Sequence, residues 1–472
     1  MSGRFRTLSI GLVAAAVLAA CGAPAAAPPA AATAVPAAPK ATDAPAAPKP
    51  TDVPAAPKPT DAPKPAAPAA KPKLTIWLSK SFTPEADAIQ KEIVTKWADA
   101  KGVELTLVQD LSTVLAPQFN AAIETKTLPD VLVWPSPDGM PKLQSLGLLE
   151  DVSDIVAKMQ AQGGGVLDKP IQAVTVGGKQ WAVPTFGATE VYYTRKDILD
   201  AAGLQPPKTW ADLLTISAKI NNPGKTWAWG LQIGTPSYDS EIATLSFLAA
   251  YGASPYAADG KTPNLNNDAT RTVLGMIKEA WDKGYIPKDA VTWDDSGNNK
   301  AYLTSSSAMV QNTGSIIAAM RKDDPDLLKR TYITPIPEGP KGRVLAGYVY
   351  GMMIPKGSKN LDLAKDLLST YVSVDSQKRI VEAAGTNYMP FYKDLQKLPM
   401  WDDPFNKTLI SQLPDVVAVG HPGPTTLWAL ESWRTHSMAE MVNKVLVEKV
   451  SIDDAIKETE AKMTKIYKQF NP

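Results

Sequence analysis

Cysteine and histidine are almost missing from this chain, with 1 Cys and 2 His among 472 residues. That scarcity excludes a disulfide framework and a Cys/His metal cluster. An excess of one charge is also lacking, since 49 Lys+Arg stand against 48 Asp+Glu for a net charge of +1. Nothing in that balance favours nucleic acid or a strongly acidic partner. Catalytic signatures are absent as well: no G-x-S-x-G elbow, no P-loop and no H-E-x-x-H, while His421 and His436 have no ligand-like spacing. The carboxylate pairs Asp294-Asp295, Asp323-Asp324 and Asp402-Asp403 invite comparison with glycoside hydrolysis, which needs two carboxylates flanking a bond. Adjacent residues on a strand or helix point apart, however, and such pairs serve more often as caps and turns. Tyr192-Tyr193 meets the same objection as an iron-binding pair, because strand neighbours face opposite sides.

What is present begins with an export signal: Arg4 and Arg6 precede an apolar segment at 8–20 that is too short to span a bilayer. The segment ends Leu18-Ala19-Ala20-Cys21, which resembles the lipobox cut by lipoprotein signal peptidase. Residues 1–20 are therefore expected to be a lipoprotein signal peptide and Cys21 the lipidated first residue of the mature chain. Residues 21–72 form a Pro/Ala-rich linker. It holds 15 of the 42 prolines and a nine-residue repeat, PAAPKATDA at 36–44, PAAPKPTDV at 45–53 and PAAPKPTDA at 54–62. Such a composition cannot bury a core and favours extended polyproline II. At about 3.1 Å per residue, it reaches at most on the order of 160 Å.

From Lys73 the pattern becomes globular, and the length favours two or more domains. Strands are predicted at 74–78, 103–108 and 130–134, alternating with helices at 84–100 and 116–125. This βαβ repetition implies a parallel sheet whose ligands sit beyond the carboxyl ends of the strands. Trp77 and Trp134 stand at those ends, with core packing as the alternative reading of each.

The stretch 178–210 organises the rest. An apolar run at 181–183 is stopped by Pro184, a second run follows at 189–194 after Gly187, and a short helix at 196–202 is closed by Gly203. A strand that ends and restarts marks a chain leaving one domain for another. Gly187 and Ala188, with Phe186 beside them, are the hinge candidates. Further on come a helix at 209–220 with Thr209 as N-cap and a strand at 227–233. A helix begins after Tyr238, with Asp239 or Ser240 as its cap, and another helix spans 271–284. A strand is predicted at 308–311, a return crossing at 332–337 that includes Thr334, and helices at 425–447 and 452–470.

Three blocks carry a resemblance: GK-x-W-A-V-P through YYTRKD to PPKTWADLL from 178, LPDVLVWPSPDGMPKLQSLGLLEDVSD at 128–154, and GRVLAGYVYGMMIPKGSKN onward at 342–392. Together they resemble family 1 extracellular solute-binding proteins, the maltose-binding-protein-like receptors of ABC importers. The resemblance covers roughly 73–472. It implies an α/β, two-lobed, type II periplasmic-binding-protein-like fold, each lobe a mostly parallel sheet flanked by helices. The N-terminal lobe would comprise 73–187 and 333–392, and the C-terminal lobe 188–332 and 393–472, joined by a hinge at Phe186, Gly187, Ala188 and Thr334.

The resemblance also implies ligand contacts. On the N-terminal lobe these are Trp77, Trp134 and Asp138, then Tyr348, Tyr350 and Tyr388. On the other lobe they are Tyr238, Asp239, Trp293, Asp294, Asn312, Ser315, Trp428 and Arg434, with at most one of Trp428 and Trp433 reaching the ligand. Ser315 stands where many sugar binders of the family carry an aromatic, which loosens the kinship with maltodextrin receptors. Sugar rings stack their C–H faces on Trp and Tyr while their hydroxyls need polar partners. A chain with 12 Trp against 8 Phe suits that task.

The expected activity is capture of a small solute, a sugar or oligosaccharide ahead of a glycerophosphodiester, polyol or polyamine, and its delivery to the transmembrane subunits of an ABC permease. No cofactor, metal or nucleic acid is expected. The protein would be a monomer, lipid-anchored outside the cytoplasm. A secreted carbohydrate-active enzyme is the competing class.

Overall fold

The computed structural model describes residues 70–81, 83–134, 139–235 and 237–471, and the side chains at 112, 113, 134 and 348 fall outside that description. The expected signal peptide, Cys21 and nearly all of the linker lie outside the described residues, as do Ser136 and Asp138.

Two mixed sheets form the frames of two lobes. The first lobe opens with β1 (Lys73–Ser79), β2 (Glu104–Asp110) and β3 (Val131–Trp134). As the pattern predicts, β1 pairs parallel with both β2 and β3. The helix Pro84–Lys101 crosses between β1 and β2, and its apolar stripe of Ile93, Val94 and Trp97 is buried against them. It ends at Gly102, which takes φ +64, a left-handed position that closes helices at little cost in glycine.

The chain then lays down β4 (Val183–Ala188) in the first sheet and, one residue later, β5 (Glu190–Arg195) in the second. In the second sheet follow β6 (Trp227–Trp229), β7 (Ser307–Thr313) and β8 (Thr331–Thr334). The first sheet is completed by β9 (Tyr348–Met353) and β10 (Met389–Pro390). The strand orders are β10-β4-β9-β3-β1-β2 and β8-β5-β7-β6. Only β6 with β7 is parallel in the second sheet, and β4, β9 and β10 pair antiparallel in the first. The lobes are thus less parallel than the βαβ pattern implies. Of the strands that break the pattern, β5 and β9 arrive from the other lobe, whereas β4 and β10 follow helices of their own lobe.

Three boundaries differ from the sequence reading. Pro184 does not stop a strand but lies inside β4, opposite Gly351, where β9 shifts register between Val349 and Gly351. An irregular pairing of this kind accommodates a residue with no N–H to donate. Thr334, read as part of the return crossing, is paired with Tyr192 at the edge of the second sheet. The chain rejoins the first sheet only at Tyr348, opposite Ala188. The helix expected over 425–447 is two helices, Leu427–Arg434 and Ser437–Leu446, because His436 takes φ 51 and ψ 45 between them.

Each lobe buries a core, and a further cluster packs Val191, Tyr193 and Ile316 of the second lobe with Val381 and Met389 of the first. In the second, Trp210 stacks on Phe247 at 4.2 Å and Tyr192 meets Trp210 edge-on. Thr209 forms the expected cap as a full capping box with Asp212.

Candidate functional site

The first lobe contributes an aromatic wall. Because β10, β4 and β9 are neighbours, Phe186 on β4, Tyr350 on β9 and Tyr388 just ahead of β10 come together. Phe186 and Tyr388 stack with centroids 3.8 Å apart, and Tyr350 tilts against both at 5.7 Å. Gly187 and Ala188 are hydrogen-bonded strand residues of β4, Gly187 paired with both Val349 and Met389. The one residue between the two sheets is Thr189, whose hydroxyl donates to the Leu409 carbonyl at 3.0 Å.

The second lobe contributes a polar wall at the starts of β5 and of the helix Tyr238–Ala250. That helix is capped by Ser237, whose hydroxyl accepts from the Ser240 amide, not by Asp239 or Ser240. Ser237 Oγ also donates to Asp295 Oδ1 at 2.7 Å, and the same oxygen accepts the Asp239 amide at 3.2 Å. The Asp239 carboxylate accepts from Asn298 Nδ2 at 3.2 Å and from Asn312 Nδ2 at 3.5 Å. Asn312 further donates to Asn299, and its Oδ1 accepts from Ser315 Oγ at 3.2 Å. Glu190, the first residue of β5, accepts from Gln311 Nε2 at 2.6 Å. Burial, opposed by the Gln311 bond and aided by the Asp295 charge, pushes Glu190 up to about 7. Burial, then the charges of Glu190 and Asp295, holds Asp239 well above the ordinary carboxylate range.

The two walls face each other. The Tyr350 hydroxyl of the first lobe is pushed above its ordinary value by burial and then by Asp239 and Asp295 of the second. Nearby the lobes touch directly, Thr386 Oγ1 donating to the Gly314 carbonyl at 2.6 Å. An aromatic surface opposite carboxylates and amides suits a ring that presents O–H or N–H donors. Among the described residues no group of three His, Cys, Asp or Glu could hold a metal ion.

The structure gathers Tyr238, Asp239, Asn312, Ser315, Tyr350, Tyr388 and Phe186 near the junction of the lobes. Tyr238 stacks on Trp433 at 4.4 Å with His436 against its ring at 4.8 Å. Other expected contacts go elsewhere. Trp77 is half-buried against the first lobe's core. Trp428 is 1 % exposed in the second lobe's core, and its indole N–H donates to the Gly260 carbonyl at 2.7 Å. Trp293 lies over Gly297 and donates to Asp289, while Asp294 turns back to accept from Ser296. Arg434 forks onto Glu431 at 2.7 and 2.6 Å. The backbone of Trp134 ends β3 opposite Gly351, and that of Tyr348 starts β9. Their side chains, with Asp138, are outside the described residues.

Sequence reasoning missed Glu190, Asp295 and Gln311. A lone carboxylate opening an otherwise apolar strand beside the crossing was the available signal for Glu190. For Asp295 there was none, because which of two adjacent carboxylates turns inward depends on the loop.

Two α/β lobes that bring an aromatic and a polar wall together are the arrangement of a solute-binding protein. The family described as "Bacterial extracellular solute-binding protein" matches residues 79–378, and the chain belongs to it. A "Probable ABC transporter-binding protein" of Deinococcus radiodurans is 26% identical over 316 residues, 63% of this chain and 71% of that protein. Among solved structures, the Thermotoga lettingae ABC transporter solute-binding protein bound with alpha-D-tagatose superposes with TM-score 0.71 at 19% identity, covering 84% of this chain and 100% of that one. The GacH receptor of Streptomyces glaucescens, solved unliganded and with acarbose, gives TM-score 0.71 at 19% identity over 84% of this chain and 99% of its own. These likenesses establish the two-lobed fold. Among the described residues no helix is long and apolar enough to cross a membrane.

Proposed function

We propose that the protein captures a sugar or oligosaccharide between its lobes and hands the closed complex to the transmembrane subunits of an ABC permease. The observation that carries this reading is Tyr350, set with Phe186 and Tyr388 on one lobe and facing Asp239 and Asp295 of the other. An apolar ring face and hydroxyl acceptors on opposite walls are what a sugar requires, and a solute touching both walls favours the closed state. The tagatose and acarbose complexes of similarly folded proteins support the choice of solute class. In this reading the chain binds and does not turn over its solute, and acts outside the cytoplasm as a monomer, tethered through lipid on Cys21. The lobes divide near Thr189, where β4 passes into β5.

Calorimetry with tagatose, maltose, maltotriose, cellobiose and acarbose tests it, paired with small-angle scattering. Binding accompanied by a smaller radius of gyration is the expected result. Turnover of any oligosaccharide would favour the enzyme instead, and the absence of binding across the panel would remove the sugar reading.

A further inference from the structure

The polar wall is unbalanced in a particular way. Glu190 is 4 % exposed, Gln311 8 % and Gln232 3 %, and each has a side-chain oxygen with no hydrogen-bond partner: Glu190 Oε1, Gln311 Oε1 and Gln232 Oε1. The two amide oxygens are acceptors, and Glu190 Oε1 becomes one when the carboxyl is ionised. Gln232 belongs to the same network, since its Nε2 donates to Ser237 Oγ at 2.9 Å and Ser237 donates on to Asp295. Buried acceptors left unmade are costly, so what completes this wall must bring donors.

The charge points the same way. The charge acting on Glu190 is that of Asp295, and those acting on Asp239 are of Glu190 and Asp295, so every contributor is a carboxylate. His436, facing Tyr238 from the next helix, does not offset them, because burial lowers its basicity and holds the imidazole neutral. The bases near His436 are engaged, Arg434 with Glu431 and Lys462 with Glu440. From the other lobe the facing group is the Tyr350 hydroxyl, which carries no charge. A neutral hydroxyl brings one donor together with two more lone pairs; an ammonium brings three donors, no acceptor and a positive charge. A bare divalent cation fits less well, as no three ligand groups among the described residues converge to hold one.

We infer that the solute carries a protonated amine, an amino sugar or amine-bearing oligosaccharide, whose ammonium pairs with Glu190 while Asp239 and Asp295 add negative charge from further off. This rests on the sugar-receptor reading and narrows it. The sugar ring lies on the aromatic wall and the ammonium on the acidic one. Because burial pushes Glu190 up to about 7, an ammonium placed beside it favours the ionised carboxyl and releases a proton to the buffer.

Matched pairs test the inference: glucosamine against glucose, and the β-1,4-linked glucosamine dimer against cellobiose, by calorimetry on the full chain at pH 6.5 in buffers of different ionisation enthalpy. The expected result is at least about tenfold tighter binding of the amine member in a pair, with proton release that its neutral partner does not show. Glu190→Gln should lower the amine preference and remove the proton release; the wild-type pair comparison stands even if that variant fails to fold. Neutral members binding as tightly as the amines would overturn the inference while leaving the sugar receptor intact. Binding of putrescine with no sugar bound at all would keep the amine and discard the sugar. No binding of any of these probes would overturn both.

Discussion

Thr386 and Gly314 meet backbone to backbone across the two lobes: a methyl group on Gly314 would lie 2.2 Å from the Thr386 carbonyl oxygen and 2.4 Å from its Cβ. Gly314 follows β7 of the second lobe, and Thr386 lies in the turn ahead of β10 of the first. Gly314 has φ −65 and ψ −1, a conformation any residue adopts, so a side chain there acts through the contact and not through backbone strain. We expect Gly314→Ala to weaken solute affinity about tenfold or more, on the scale of 1.4 kcal/mol per decade. Saturating solute should also leave the radius of gyration larger than in the wild type. Unchanged affinity with normal compaction would show that this approach does not limit closure.

Trp428 makes a separable prediction. Its ring is packed in the second lobe's core and its N–H is spent on Gly260. Trp428→Phe should destabilise the fold by about 1–3 kcal/mol in denaturant titration through the unpaired carbonyl and the void. Affinity should stay within about twofold of the wild type. A large loss of affinity in a fully folded variant would put Trp428 back at the ligand.

Stability should depend on pH through Glu190. Its folded value is raised from 4.5 to about 7, chiefly by burial, so between those values the folded state holds a proton that the unfolded state has lost. The contribution is complete below pH 4.5 and declines as pH rises toward 7, by at most about 3 kcal/mol. Glu241 adds to the slope in the same direction, as burial pushes it to about 8 although it accepts the Met438 and Ala439 amides at 2.8 Å each. Denaturant midpoints from pH 5 to 8 should therefore fall in the wild type and fall less steeply in Glu190→Gln. Equal slopes in the two proteins would count against the assignment.

Tyr350 offers a narrower probe. Tyr350→Phe keeps the ring beside Phe186 and Tyr388 while removing the hydroxyl that faces Asp239 and Asp295. We expect a loss of affinity of about three- to tenfold for any solute that bonds this hydroxyl, matching one hydrogen bond of 0.5–1.5 kcal/mol. The melting temperature should be nearly unchanged.

Cys21→Ser tests the tether. Fractionation of cells expressing it should move the protein from the membrane to the soluble extracytoplasmic fraction. Retention in the membrane would rule out Cys21 as the anchor.

The fold was legible where local chemistry decides it. Alternating strands and helices gave β1 to β3, and the small residues Gly187 and Ala188 brought the reading to within two residues of Thr189. It failed where pairing across the chain decides. Pro184 reads as a stop, yet the shifted register of β9 gives it a place inside β4. His436 reads as a helical residue, yet tertiary packing holds it left-handed and splits one helix into two. The site followed the same rule. Tyr388 and Asp239 could be named from their blocks, whereas the partnership of Glu190 with Gln311 across β5 and β7 needed the register of the second sheet.

Two of the passages between the sheets meet at one level. One is the single residue Thr189 between β4 and β5, and the other ends at Gly347, whose neighbour Tyr348 is paired with Ala188. In the receptor reading, crossings that meet at one level make rotation about that level the motion that closes the lobes. A surface far from the solute, on either lobe, then registers occupancy as a change of that angle. A distant partner that senses it learns whether the space is filled without ever touching what fills it.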